Sequence, residues 1–334
     1  MSWLDLRTVL VLGVTIYLVC TLFIVQLWWQ NRSRFDGTGL WALNFALQTT
    51  GLALLSARGA IPDWLSIVLA NALMMLGLIL FYRGLQRFVG RLSQQRYNFA
   101  LLALSTVLLF LLTFVHPDLR LRTVVVSIFF LVLFYQCMWL LWYRVEPGQR
   151  ALTFWVVMVL GAHCVISLIR ITEYIFGMPI GNDYLKSGGF QTLVIISYQA
   201  MFLLLTYALI LMVNQRLIAR IGAEEEKFAK AFHFAPYALT LARTSDQTIF
   251  DVNETFCDMT GYRRAEVLGK NSIDLQLWGH EEDKAAVVEA LSTGMRVRDR
   301  EASFRKKNGE LLTALFSAEF IEVNGKKKHS DLHR

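Results

Sequence analysis

Three ionisable side chains stand inside one long apolar run. The stretch "AHCVISLIRITEYIF" (Ala162–Phe176) carries His163, Arg170 and Glu173. Each costs several kcal/mol in hydrocarbon unless a partner or water meets it. At about 100° per residue, His163 and Arg170 fall within about 20° of each other on a helix. Glu173 lies about 60° round from Arg170, within i,i+3 pairing reach. The three therefore share a face. Other apolar runs also carry polar residues at depth: Asn44, Gln48, Asn71, Gln136, Tyr198 and Gln199. Polar groups in lipid must face protein or water. Gathered on one wall, this set lines a polar cavity that opens outward and suits a small ligand, with Arg170 favouring an anionic group. Scattered, the amides and the histidine are interhelical glue, worth ~1 kcal/mol or less each. An Arg170–Glu173 pair then neutralises itself near the interface, with Arg170 snorkelling. Both readings stand on the sequence.

Other chemistry is not visible. No Walker A loop, Rossmann fingerprint, H-E-x-x-H element, G-x-S-x-G elbow, kinase catalytic motif or cyclase-like active site occurs. The expectation is a chain that is not itself an enzyme. Cys20, Cys137, Cys164 and Cys257 form no C-x-x-C pair, which argues against a disulfide framework or a zinc site. The formal charge of +7 is carried largely by arginines between apolar runs. That placement sets membrane orientation and does not call for nucleic acid as a partner.

The elements that must hold the polar set are long apolar segments. Of the 334 residues, 55% are hydrophobic, and the excess is concentrated before Val213. Seven runs approach the length of about 20 residues that a spanning helix needs. They are Thr8–Trp29, Gly39–Ser56, Trp64–Tyr82, Asn98–Val115, Thr123–Tyr143, Ala151–Phe176 and Gln191–Val213. Loops on the side of the C-terminus carry ten arginines, from Arg32 to Arg220, against five basic residues on the other side: Arg7, Arg58, Arg120, Arg122 and Lys186. The positive-inside rule then places the N-terminus outside and the C-terminal part in the cytoplasm of a multi-pass inner-membrane protein. The lipid bilayer is its first partner.

After residue 213 the chain changes character. Residues 214–232, "NQRLIARIGAEEEKFAKAF", place Leu217, Ile221 and Phe228 at heptad-like spacing in a polar helix. That is a narrow seam suited to a homodimer, or a solvated connector. Two short strands follow around a turn at Ser245–Gln247, then short helices, a longer helix over Glu281–Leu291, and two strands around "KKNGE". The motifs "VNETFCDMTGYRRAEVLGK" (Val252–Lys270), "LQLW" (Leu275–Trp278) and "FRKKNGEL" (Phe304–Leu311) occur in that order. This part resembles a PAS domain of the S-box type.

The resemblance implies an α+β module, an antiparallel sheet with helices across one face. It marks Asn253, Gly261, Tyr262, Gly269, Trp278 and Gly309 as structural positions, with Asn253 capping the helix that follows it. The whole then resembles the input half of bacterial sensor histidine kinases or diguanylate cyclases, as in two-component systems. Residues 1–213 are expected to form a seven-helix transmembrane sensory domain and 233–334 the PAS domain. Two departures stand out. The closing strand of the family is replaced by the polar "KKKHSDLHR", which reads as a PAS domain cut short before its last strand. Light-sensing relatives carry a cysteine after G-x-N, whereas "GKNSIDLQ" has Ser272, which speaks against a flavin adduct. His233 and His280 stand singly and do not support haem, so no cofactor is required. Two rival readings remain: a membrane anchor with PAS as sole sensor, and a transporter-like membrane part with a regulatory PAS domain.

Overall fold

The computed structural model describes residues 6–145, 150–176, 189–243, 245–323 and 326–333, with side chains up to residue 319. Lys186 and the loop 177–188 lie outside the described residues. The chain forms two compact units, Met1–Ile218 and Ala219–Arg334.

The first unit is helical. Its elements are α1 (Leu6–Asn31), α2 (Thr38–Ser56), α3 (Ala70–Val89, entered through a π-helical turn Trp64–Leu69), α4 (Arg96–Phe114), α5 (Leu119–Tyr143), α6 (Arg150–Phe176) and α7 (Gly189–His233). Among the described residues, six helices are long and apolar enough to cross a membrane. The expected second span is not one of them. In α2, Asn44, Gln48, Thr49 and Thr50 interrupt the leucines and lower its mean hydropathy. The helix packs between α1 and α3, where these polar groups find partners.

One core joins the bundle, with Trp41, Phe45, Phe81 and Phe129 fully buried. Its outer faces are apolar too: Leu22, Phe23, Phe110, Leu168 and Ile169 are exposed. An apolar core inside an apolar skin fits a membrane protein. Small residues let the helices meet. A Cβ at Gly84 would lie 2.5 Å from Trp41 Cδ1 and 2.8 Å from the Gly37 carbonyl oxygen.

The expected boundary at residue 213 does not break the helix, because α7 runs uninterrupted to His233. Its segment 219–231 is exposed all round. Ion pairs one turn apart support it, Arg220 with Glu224 at 3.5 Å and Lys230 with Glu226 at 2.7 Å.

The second unit is one antiparallel sheet in the order β2-β1-β5-β4-β3. Its strands are β1 (Ala238–Arg243), β2 (Ile249–Val252), β3 (Val297–Arg305), β4 (Leu311–Val323) and β5 (Lys326–His333). Helices α8 (Glu254–Thr260), α9 (Arg264–Val267) and α10 (Glu281–Ser292) connect β2 to β3. The expectation that the closing strand is missing is corrected here. Lys326–His333 pairs with β1 on one side and β4 on the other. Its polar sequence shows no strand periodicity, but two open backbone ladders on either side supply hydrogen bonds that need no particular side chain.

Candidate functional site

A cavity of about 150 Å³ lies inside the helical unit. Its wall includes Asn44, Gln48, Asn71, His163, Arg170, Tyr198 and Gln199, drawn from α2, α3, α6 and α7. Two residues of the expected set lie elsewhere. Gln136 on α5 exchanges two 3.0 Å hydrogen bonds with Asn98 on α4. Asn98 continues to Gln95 and Gln95 to Gln86, so this amide chain is glue between helices. Glu173 is exposed and makes no ion pair with Arg170 among the described residues. The reason is helical phase. The buried stripe of α6 runs Val156, Leu160, His163, Ser167, Arg170, Tyr174, and Glu173 falls one residue off it. Tyr174 takes the inner place and donates to Gln191 at 2.9 Å.

The wall residues are held from several sides. Gln48 donates to the Met74 carbonyl at 3.0 Å, joining α2 to α3. Asn71 donates to Ile67 at 2.7 Å, within the π-helical entry of its own helix. Gln199 donates to the Val9 carbonyl at 2.9 Å, and its amide fills the space left by the missing Cβ at Gly13. The Tyr198 hydroxyl is 3.2 Å from Ser167, and its ring stacks 6.0 Å from that of His163. His163 Nδ1 lies 3.0 Å from the Val159 carbonyl. A carbonyl only accepts, so Nδ1 carries a proton and donates it to this bond. Phe134 packs on the other side at 4.5 Å.

Sequence reasoning missed Arg58 and Arg122, which also line the cavity. Arg122 stood just before the expected fifth run. The signal was "PDLRLR": Asp118 caps α5 by accepting from the Leu121 amide at 3.0 Å, which starts the helix at Leu119 and turns Arg122 inward.

In the sheet unit, Asn253 is the most connected polar residue, 1% exposed. Its Oδ1 accepts from Phe256 N at 3.0 Å, capping α8, and from Leu239 N at 2.9 Å on β1. Its Nδ2 donates to the Tyr237 carbonyl at 2.7 Å. Gly261, Gly269 and Gly309 have φ of 76°, 80° and 87°, the left-handed turns that favour glycine. Tyr262 donates to the Leu275 carbonyl at 2.9 Å. Trp278 packs 5.1 Å from Phe304 and 5.4 Å from Phe316, and its Nε1 donates to Ser272 at 3.3 Å. These rings and α10 bound a cavity of about 290 Å³. The buried Thr240 hydroxyl lines it with no hydrogen-bond partner among the described residues. Burial pushes the Cys257 thiol up, so it stays protonated at neutral pH. Among the described residues, no group of three or more His, Cys, Asp or Glu side chains is placed to hold a metal.

Strand order, the Asn253 cap and the glycine turns now stand together, and residues 236–329 match the family model described as PAS domain. The C-terminal unit carries a PAS domain. Similar solved structures include the PAS domain of an HTR-like protein from Haloarcula marismortui, at 21% identity and TM-score 0.31, covering 36% of this chain and 98% of that one. A domain of a sensory box sensor histidine kinase/response regulator from Geobacter sulfurreducens gives 22%, TM-score 0.29, 34% and 96%. The PAS domain of the fruit-fly ELK potassium channel gives 25%, TM-score 0.29, 33% and 94%. No curated protein sequence matches this chain.

The PAS domain carries an acid-sensitive clasp. Hydrogen bonds from Lys307, then from the Arg263 amide, hold the Glu266 carboxyl below its ordinary range. A depressed carboxylate stabilises the fold above its unfolded pKa, roughly 4.3, and loses that contribution as pH falls through the folded value. The protection of amides 260–270 against hydrogen exchange, relative to their intrinsic rates, should therefore fall below about pH 4.5, and less so in Glu266→Gln. Equal acid profiles for the two proteins would contradict this.

Proposed function

We propose that this chain is the sensory half of a membrane-bound signalling protein. The observation that carries the reading is the convergence of Asn44, Gln48, Asn71, His163, Arg170, Tyr198 and Gln199 on one cavity in a bundle with an apolar skin. In this reading α2 completes seven spans, since its 19 residues at 1.5 Å each reach about 28 Å, close to the hydrocarbon thickness. The arginine excess puts the N-terminus outside and the PAS domain in the cytoplasm. A small ligand that binds one helix arrangement better shifts the bundle toward it. Helix α7 carries the shift onward, and its exposed Ile221 and Phe228 pair with those of a second copy. The PAS domain relays the signal to an effector, a histidine kinase or cyclic-di-GMP enzyme, and this chain is itself non-catalytic.

The test is a fusion of this chain to a kinase or cyclase reporter. Arg170→Ala should change reporter output roughly fivefold, the effect of a coupling free energy of about 1 kcal/mol. Leu168→Ala, on the exposed face of α6, should leave it unaltered at equal membrane level. If both variants match the parent, the helices serve only as an anchor.

A further inference from the structure

The cavity's charge and size narrow what it binds. Arg122 and Arg170 are 7% and 8% exposed, and both line it. The Nε of each is buried without a hydrogen-bond partner, and neither guanidinium forms an ion pair among the described residues. Among the described residues, Arg170 has the face of the Tyr198 ring, 5.9 Å away. Arg122 feels Asp63 and Asp118 in attraction and Arg58 in repulsion. Neither aspartate belongs to the wall, and among the described residues no carboxylate does.

The two arginines stand at one level. Arg122 is 21 residues before the end of α5 and Arg170 is 20 residues after the start of α6. These helices pack together and are joined by a short connection, so they run antiparallel. At 1.5 Å per residue both arginines lie about 30 Å from that connection, within a turn of each other. One end of the cavity is thus cationic. Most of the remaining wall is hydrocarbon and aromatic, with Phe130, Phe134 and Phe202 in it beside the amides of Gln48 and Gln199.

A buried guanidinium with no carboxylate in contact is costly. A cavity of about 150 Å³ lined by apolar groups is of the size that takes a benzene-sized molecule. We propose that the ligand is a small organic monoanion, a carboxylate on an apolar body of benzene size. The carboxylate sits at this cationic end, against the guanidinium groups of Arg122 and Arg170. The body points toward Phe134 and His163. This assignment rests on the reading of the cavity as a receptor site.

The test uses the full chain in lipid nanodiscs, with benzoate as the probe and benzyl alcohol as its neutral match. Benzoate should bind saturably, and benzyl alcohol about tenfold or more weakly. Arg122→Gln and Arg170→Gln should each weaken benzoate by about tenfold or more. Without any ligand, the same variants should melt no lower than the parent, since each removes a buried unpaired charge. A lower melting temperature in both variants would show that the arginines are structural and overturn the assignment. Equal binding of benzyl alcohol, or benzoate binding indifferent to both substitutions, would also overturn it. Binding of decanoate with exclusion of benzoate would replace the soluble ligand by a membrane-derived chain and overturn the size limit. If benzoate fails while Arg170→Ala still alters the reporter, the ligand class falls and the sensor reading stands.

Discussion

Asn253→Ala is expected to destabilise the PAS domain by about 3 kcal/mol. The α8 cap alone accounts for about 1 kcal/mol. The rest comes from two half-buried hydrogen bonds lost with the amide, from the Leu239 N–H and to the Tyr237 carbonyl, at about 1 kcal/mol each. Alanine offers neither an acceptor nor a donor, and the site, 1% exposed, admits little water in compensation. Asn253→Asp keeps both acceptor contacts and loses the donor, so it should fall between alanine and the parent. Hydrogen exchange in β1 and α8 of the full chain measures the effect. The account fails if exchange in Asn253→Ala accelerates by less than about fivefold, the equivalent of under 1 kcal/mol.

The second large effect is expected at Gly84. There the α3 backbone meets the Trp41 ring and the Gly37 carbonyl so closely that a methyl group overlaps both. Trp41 is fully buried and wedged against Phe81 and Phe88, with ring centroids 6.4 and 5.1 Å away. It has nowhere to turn. Gly37 is no freer: its φ is 90°, and a Cβ there would strike the Gly84 carbonyl in return. Overpacking of this kind costs about 1–3 kcal/mol, and the backbone share of the clash puts Gly84→Ala at the upper end. Gly222→Ala is the control, because no atom lies within 4 Å of that added methyl. It should be neutral or slightly stabilising, since alanine is the better helix former. Thermal midpoints of both variants in nanodiscs decide the matter, and equal midpoints would refute the packing argument.

The linker shows how a local rule and a tertiary outcome differ. Ile221 and Phe228 recur at seven residues, and both are exposed in the single chain. Leu217 is half-buried against the helical core, and Phe232 is buried. Periodicity located the apolar positions of α7. Which of them a neighbour covers depends on what else is present.

Much was legible from residue types alone. Long apolar runs mark the helices, because a buried backbone must bond to itself and a helix does so locally. The glycines at 261, 269 and 309 and the cap at Asn253 have local causes, so order and spacing reveal them. The polar cavity was legible only in part. The phase of one helix put His163 and Arg170 together, and it set Glu173 about 60° round from Arg170, at the margin where the wall and the outside are not told apart. Whether Gln136 met the cavity or Asn98 depended on how α4 lies against α5, which no single run encodes. Arg122 looked like a loop charge until the Asp118 cap started its helix early. The strand Lys326–His333 had no signal of its own, because its bonds come from β1 and β4, far away in sequence. What is set within a turn or two of chain can be read from the chain. What depends on how separate elements dock, the membership of the cavity and the middle strand of the sheet, was decided by the packed structure.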